Sequence, residues 1–192
     1  MEEKIEAFMK LADVTTLVIL INSPGGASVE GENLAALLLQ RSLRGVKVLA
    51  YVIQACSAAY QLASTCQTIY CRRSAAVGCL GTHIYEVRKA FVTSGKRKIG
   101  NPSFESLAAI LADMQTIADD TAEDLRDFVK AWRGDRLKKE HYDSVMFGIT
   151  YIGVKAVGVG LADFIWEGTL KESLAEELKV KENQLIVKKL KE

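Results

Sequence analysis

Two segments of the 192-residue chain set reactive or hydrogen-bonding groups where an apolar strand gives way to a helix. The first is Asn22-Ser23-Pro24-Gly25-Gly26. Its paired glycines let the backbone turn sharply and leave N–H groups beside a helix start, which suits an anion or a developing oxyanion. By itself it also fits an ordinary strand-to-helix turn. The second is Ala55-Cys56-Ser57-Ala58-Ala59-Tyr60. Here Ser57 stands at a helix N-terminus among small neighbours that leave room for a substrate backbone. The helix dipole and the Ala58 N–H favour a negative oxygen nearby. Taken alone, this segment reads more simply as an N-capping serine.

A serine nucleophile needs a base. The chain has two histidines. His83 follows Ser57 by 26 residues, close to a glycine-rich stretch, whereas His141, in Lys139-Glu140-His141-Tyr142, reads as exposed. A lysine serves if burial keeps it neutral. The segment Ser94-Gly95-Lys96-Arg97-Lys98-Ile99-Gly100-Asn101-Pro102 offers such lysines, although composition alone makes it a solvated basic loop. Cys56, Cys66, Cys71 and Cys79, taken with His83, lack the close Cys-x2-Cys pairing of a strong zinc site. They read as reduced, buried small hydrophobes, with no metal implied.

The elements around these segments alternate. Residues 1–13 have the spacing of a short amphipathic helix. Thr16 to Asn22 is a β-rich apolar run suited to a parallel sheet, and Glu30 to Leu43 is a helix closed by Gly45. Val46 to Ile53 forms the next strand, 54–57 a turn, and Ala58 to Cys66 a helix. Thr68 to Cys71 is a short strand, and Ser74 to Gly81 a small-residue loop. A long helix over 103–133 carries Leu107, Ile110, Leu111, Met114, Ile117, Leu125, Phe128, Val129 and Trp132 on its apolar face. Thr150 to Asp163 packs a short helix back on the sheet. From Lys171 a charged tail, with Leu174, Leu178, Leu185 and Leu190 as a sparse stripe, reads as a solvated helix or an oligomer contact. The pattern is that of βαβ units in an α/β layer.

Composition limits the function classes. With 25 basic and 24 acidic residues there is no charge excess of the kind that marks a nucleic-acid binder. Apolar stretches such as Leu17 to Ile21 are too short to span a bilayer. No apolar stretch follows Met1-Glu2-Glu3-Lys4, so the sequence reads as cytoplasmic.

Five ordered segments resemble the SppA-type signal peptide peptidase family, and most closely its short phage and prophage members, the head-maturation (prohead) proteases. LVILINSPGGASVEG resembles the family's strand, oxyanion loop and helix start, and ACSAAYQLAS its nucleophile segment. IYCRRSAAVGCLGT resembles the next strand and its Gly-Ser-Ile-Gly-type loop, here Gly78-Cys79-Leu80-Gly81. GKRKIGNP resembles the lysine segment, and TYIGVKAVGVGLADFI the late glycine-rich signature.

The resemblance covers about residues 14 to 170 and implies an α/β, ClpP/crotonase-like fold of stacked βαβ units with a long helix after the lysine segment. It divides the chain into a peptidase domain over 1–170, without the family's N-terminal strand, and a charged helical tail over 171–192. A preceding segment or a partner subunit is expected to complete the sheet edge. It implies a Ser–Lys dyad with Ser57 as nucleophile and Lys98 as base, with His83 as rival base and Lys96 as a lesser candidate. It also implies that the Gly26 and Ala58 N–H groups form the oxyanion hole. Cys79 stands where the family often has the serine that orients the lysine. The segment between Gly81 and Lys98 is shorter than the family's.

The implied substrate is an extended peptide or protein, and the implied assembly a homo-oligomeric ring, with no cofactor. The setting is the bacterial cytoplasm or the phage prohead. Two rivals share the fold: a catalytically impaired assembly protein, and a crotonase-type acyl-CoA enzyme that would need neither Ser57 nor Lys98.

Overall fold

The computed structural model describes residues 15–82 and 104–185. The helix expected over residues 1–13 lies outside them. Three parallel strands form the middle of the structure: β1 (Thr16–Ser23), β2 (Lys47–Cys56) and β3 (Thr68–Gly78). Helix α1 (Ser28–Ser42) connects β1 to β2, and the short α2 (Ala58–Ser64) connects β2 to β3. The long α3 (Phe104–Arg133) and α4 (Tyr142–Met146) lead to β4 (Thr150–Ile152). Helix α5 (Gly153–Val159), β5 (Phe164–Ile165) and α6 (Leu170–Leu178) complete the order. The strands run β1-β2-β3-β4, with β4 antiparallel to β3 and β5 parallel to it. Among the described residues β1 pairs only with β2.

Two expectations are corrected here. The segment 54–57 is not a turn up to its last residue, because β2 continues to Cys56. Likewise the strand expected to stop at Cys71 continues to Gly78. The register explains the second error. Val52 pairs with Cys71 but Gln54 pairs with Ala76, so Arg72 to Ala75 bulge out of the ladder. That bulge is polar and partly exposed at Arg72-Arg73-Ser74, and in sequence it reads as the end of a strand. The two halves of β3 have different neighbours. Tyr70 and Cys71 pair with β5, whereas 76–78 pair with β4.

The larger core lies where α1, α2, α3 and α5 cover one face of the sheet, and Val48, Ala50, Val52, Leu38, Ile69, Val77, Leu125 and Val129 are buried there. The apolar face of α3 is narrower than its sequence suggests. Leu125 and Val129 are buried, but Leu111, Ile117 and Trp132 are 43–53% exposed. Cys66 and Cys71 are free and buried, and burial pushes their thiols up to about 12 and about 11. Both are therefore inert packing groups at neutral pH.

A buried ion pair joins the end of α3 to the turn after α5. Arg133, with no exposed side-chain surface, donates from Nη2 to Asp163 Oδ1 at 2.8 Å and to the Gly160 carbonyl at 2.8 Å. Asp163 Oδ2 also accepts the Ile69 N–H at 2.7 Å, so the same carboxylate reaches β3. Gly160 closes α5 at φ +87, and a Cβ there would come within 1.8 Å of the Arg136 carbonyl. No larger residue fits. Nearby, Tyr60 donates from its buried hydroxyl to the Leu161 carbonyl at 2.7 Å.

On the opposite face α6 packs against a smaller cluster of Leu49, Tyr51, Tyr70 and Trp166 through Leu174. The first part of the tail, read from sequence as a solvated helix or an oligomer contact, is thus docked within the chain over Leu170–Leu178. Tyr51 stacks on Tyr70 with centroids 4.7 Å apart, and the Arg72 guanidinium lies 3.5 Å over the Trp166 ring. Polar contacts add to this docking. Lys47 Nζ lies 2.5 Å from Glu177 Oε1, the Tyr70 hydroxyl donates to Glu177 Oε2, and the Tyr51 and Ser173 hydroxyls are 3.2 Å apart.

The Lys47 ammonium, then the Tyr70 hydroxyl, hold the Glu177 carboxyl below the usual carboxylate range. Its contribution to stability is complete above the unfolded pKa, about 4.3, and is lost as pH falls through the lower folded value. Glu177→Gln is expected to flatten the acid limb of stability against pH, measured as denaturant midpoints followed by Trp fluorescence. Arg133→Ala leaves the partly buried Asp163 carboxylate without its guanidinium and is expected to cost about 3 kcal/mol in urea unfolding.

Candidate active site

The site is assembled where the parallel strands end. β1 ends at Ser23 and leads into the Pro24-Gly25-Gly26 turn, β2 ends at Cys56, and β3 ends at Gly78. The register sets Ser23 beside Ala55 and Cys56 beside Gly78, so the three loops leave the sheet side by side. Ligands in open α/β sheets bind at such carboxyl ends.

Ser57 sits at the sharp step from β2 into α2, with φ +52 and ψ −128. This is a strained conformation for a residue with a side chain, worth about 1–3 kcal/mol, and such residues cluster at functional sites. Its N–H donates to the Gly78 carbonyl at 2.9 Å, tying the turn to the end of β3. Its hydroxyl does not cap α2. It donates instead to the Gly81 carbonyl at 3.3 Å. The simpler reading of Ser57 as an N-capping serine therefore does not describe its side chain.

Gly25 lies against this turn. It has φ +116, and a Cβ there would fall 2.9 Å from both the Cys56 carbonyl and Ser57 Cβ. Gly25 N–H donates to Ser23 Oγ at 3.2 Å, which fixes the loop and leaves Gly26 at the surface. Among the described residues no hydrogen bond engages the N–H of Gly26 or of Ala58. Ala58 opens α2, so its N–H has no acceptor inside the helix.

Ser57, Gly26, Ala58 and Cys79 line one cleft of about 1050 Å³. Cys79, at φ +53, is half-buried in its wall, and its N–H donates to the Ile149 carbonyl at 3.1 Å. Burial, and then Cys79, push the neighbouring Cys56 thiol up, so Ser57 is flanked by a protonated thiol rather than by a competing thiolate. Lys98, His83 and Lys96 lie outside the described residues. His141 is exposed, as its sequence context suggests.

The cleft also holds residues that the sequence pattern does not mark out. Gln61 is one helical turn beyond Ser57, and Glu32, Thr121 and Asp124 come from α1 and α3. None of the four carries a local signal in the sequence, because the packing of α1, α2 and α3 brings them to one cleft. Among the described residues no cluster of His, Cys, Asp and Glu suits a metal ion. Nor does any helix there have the length and apolarity to cross a membrane.

No family model matches the chain, and no curated protein matches it. Solved structures do match in fold. One is a serine-to-alanine mutant of the 1510-N membrane-bound stomatin-specific protease, with TM-score 0.57 and 12% identity over 96% of this chain and 83% of that one. Another is the same protease as a lysine-to-alanine mutant in complex with a substrate peptide, with TM-score 0.54 and 14% identity over 96% and 78%. A third is the ClpP protease catalytic domain from Plasmodium falciparum, with TM-score 0.53 and 11% identity over 88% and 79%. The chain therefore has the mixed α/β, ClpP-like fold found in serine peptidases.

The crowding at Gly25 gives a local test. Gly25→Ala is expected to lose about 1–3 kcal/mol in urea unfolding, because both its φ and its Cβ conflict with the Ser57 turn. Gly26→Ala, whose Cβ would meet nothing within 4 Å, is expected to stay within about 0.5 kcal/mol of the parent.

Proposed function

We propose that this chain is a serine peptidase that cleaves extended peptides through an acyl-enzyme, with Ser57 as nucleophile and Lys98 as base. The observation that carries this reading is the strained Ser57 turn. It presents the hydroxyl to a cleft lined by Gly26 and Ala58 rather than to the helix end it precedes. Likeness of fold to proteases, one of them solved with a substrate peptide, supports a peptide as the occupant.

In this mechanism Ser57 Oγ attacks the scissile carbonyl carbon, and its proton passes to neutral Lys98 Nζ. The carbonyl oxygen becomes an oxyanion held by the Gly26 and Ala58 N–H groups. Collapse breaks the C–N bond, and the leaving amine takes the proton from Lys98. Water then attacks the acyl-enzyme, delivers a proton to Lys98, and releases the acid as Ser57 Oγ regains its proton. Loss of one oxyanion donor typically costs ~10²–10³ in rate. The reading extends to the role of the phage members that the sequence resembles, a homo-oligomeric ring acting on scaffold or capsid-assembly proteins in head maturation.

Cys79 favours a second reading. A thiol is a poorer hydrogen-bond partner than the serine hydroxyl common at that position, so the fold also suits a catalytically impaired assembly subunit.

Labelling by a fluorophosphonate probe, read as intact mass, separates the two. Wild type is expected to gain one adduct, and Ser57→Ala and Lys98→Ala to gain none. Labelling that survives Lys98→Ala but vanishes in His83→Ala assigns the base to His83. Absence of labelling in the folded wild type overturns the peptidase in favour of the assembly protein.

A further inference from the structure

Two surfaces of this chain are left open among the described residues, and they differ in charge. The first is the leading part of α3. Ala122, Leu125, Val129 and Arg133 are buried, but from Leu111 to Asp120 no residue is. Leu111 and Ile117 are 53% and 46% exposed. Ten residues of helix, about 15 Å, are marginal in water unless their apolar side is covered. This stretch is also acidic. From Leu111 to Leu125 the sequence has Asp113, Asp119, Asp120, Glu123 and Asp124 and no lysine or arginine. Asp120 and Glu123 are exposed and have no ion-pair partner among the described residues. Asp120 stands three residues beyond Ile117, on the same side of the helix.

The second surface is the outer edge of β4. This strand ends the sheet and, among the described residues, pairs only with β3. A groove of about 400 Å³ lies against it, lined by Ile149, Ile152 and Val154, which are 48–54% exposed, and by Arg73 and Lys155. No carboxylate is among the described residues that line it. The Arg73 guanidinium is engaged by Glu167 at 2.8 Å, whereas Lys155 has no ion-pair partner among the described residues. An open edge with exposed apolar side chains invites a partner, and a helix laid over it is one way to close it. The apolar side chains of both surfaces are exposed, so the two do not cover each other within one copy.

We propose that the groove beside β4 receives the acidic leading part of α3 from a second copy of this chain, with Lys155 facing Asp120 of the partner subunit. Charge selects the occupant. An apolar groove with a free cation takes an apolar segment that carries carboxylates, and this chain presents one. The two surfaces differ, so the contact is heterologous: each copy gives α3 to one neighbour and its groove to another. The Ile149 carbonyl, at the groove, also holds the Cys79 N–H, so the contact backs onto a wall of the active-site cleft. The proposal rests on the preceding reading for the association of copies but not for turnover.

The test is the mass and dissociation of the full chain, by light scattering and sedimentation velocity at one fixed ionic strength. Wild type is expected to assemble beyond the monomer. Lys155→Glu and Asp120→Lys, both exposed changes, are each expected to weaken association about tenfold or more, because each sets like charges face to face. The chain carrying both substitutions is expected to assemble again, since the pair is only reversed. The two single variants, mixed, are expected to co-assemble where neither does alone. A monomeric wild type, an assembly that either reversal leaves intact, or reversals that fail to complement each other overturn the proposal. Fluorophosphonate labelling of the same samples tells the two readings apart. Labelling of an assembly that neither reversal disturbs retires the interface and leaves the peptidase. Complementing assembly without labelling leaves the interface and retires the peptidase.

Discussion

The hydrogen bond from the Ser57 N–H to the Gly78 carbonyl, 2.9 Å long, closes the ends of β2 and β3 together at the point where both strands stop. Because it fixes the backbone on the far side of Cys56, the chain must enter α2 through a turn that no relaxed residue would choose. The strain at Ser57 is held there by the sheet behind it and the buried α2 in front. Every side chain of α2 from Ala58 to Ser64 is buried, so the helix cannot swing to relieve the turn. Gly25 closes the remaining side. The geometry of the hydroxyl thus follows from parallel pairing and close packing, and the cleft is the space those constraints leave.

The late segment of the chain serves that arrangement from a distance. Arg133, Gly160 and Asp163 bind the end of the long helix to the turn before β5, and Asp163 reaches on to the Ile69 N–H in β3. A charge so fully buried is tolerable because its hydrogen bonds are made to a carboxylate and a carbonyl already held in place. The same turn places Leu161 to receive the Tyr60 hydroxyl from α2. The helix that follows Ser57 is therefore anchored by residues about a hundred positions away.

Much of this was legible in the sequence, and the failures have physical causes. The alternation of apolar runs with amphipathic ones gave the order of strands and helices through α2. The turn chemistry at Pro24-Gly25-Gly26 and Ser57 picked out two loops that do meet, and the glycine loop bearing Cys79 joins them. The second half of β3 was missed because Arg72 to Ala75 bulge outward, and a bulge shows the polarity of a loop. The docking of α6 was missed because Leu174 buries against aromatics from two strands, a partnership with no local trace. Glu32, Gln61 and Asp124 escaped notice because three helices bring them together at angles that periodicity does not encode.

The bulge at Arg72 to Ala75 has a mechanical consequence. It divides β3 into two short ladders, one carrying β5 and the outer-face aromatics, the other carrying β4 and the Gly78 carbonyl. A strand in unbroken register transmits a displacement along its whole length, whereas slack of several residues absorbs it. Along β3, Tyr70 and the β5 pairing are in this way insulated from the Gly78 carbonyl that holds Ser57. The β5 edge can be remodelled, by mutation or by a bound neighbour, with little change passed along β3 to the Ser57 turn.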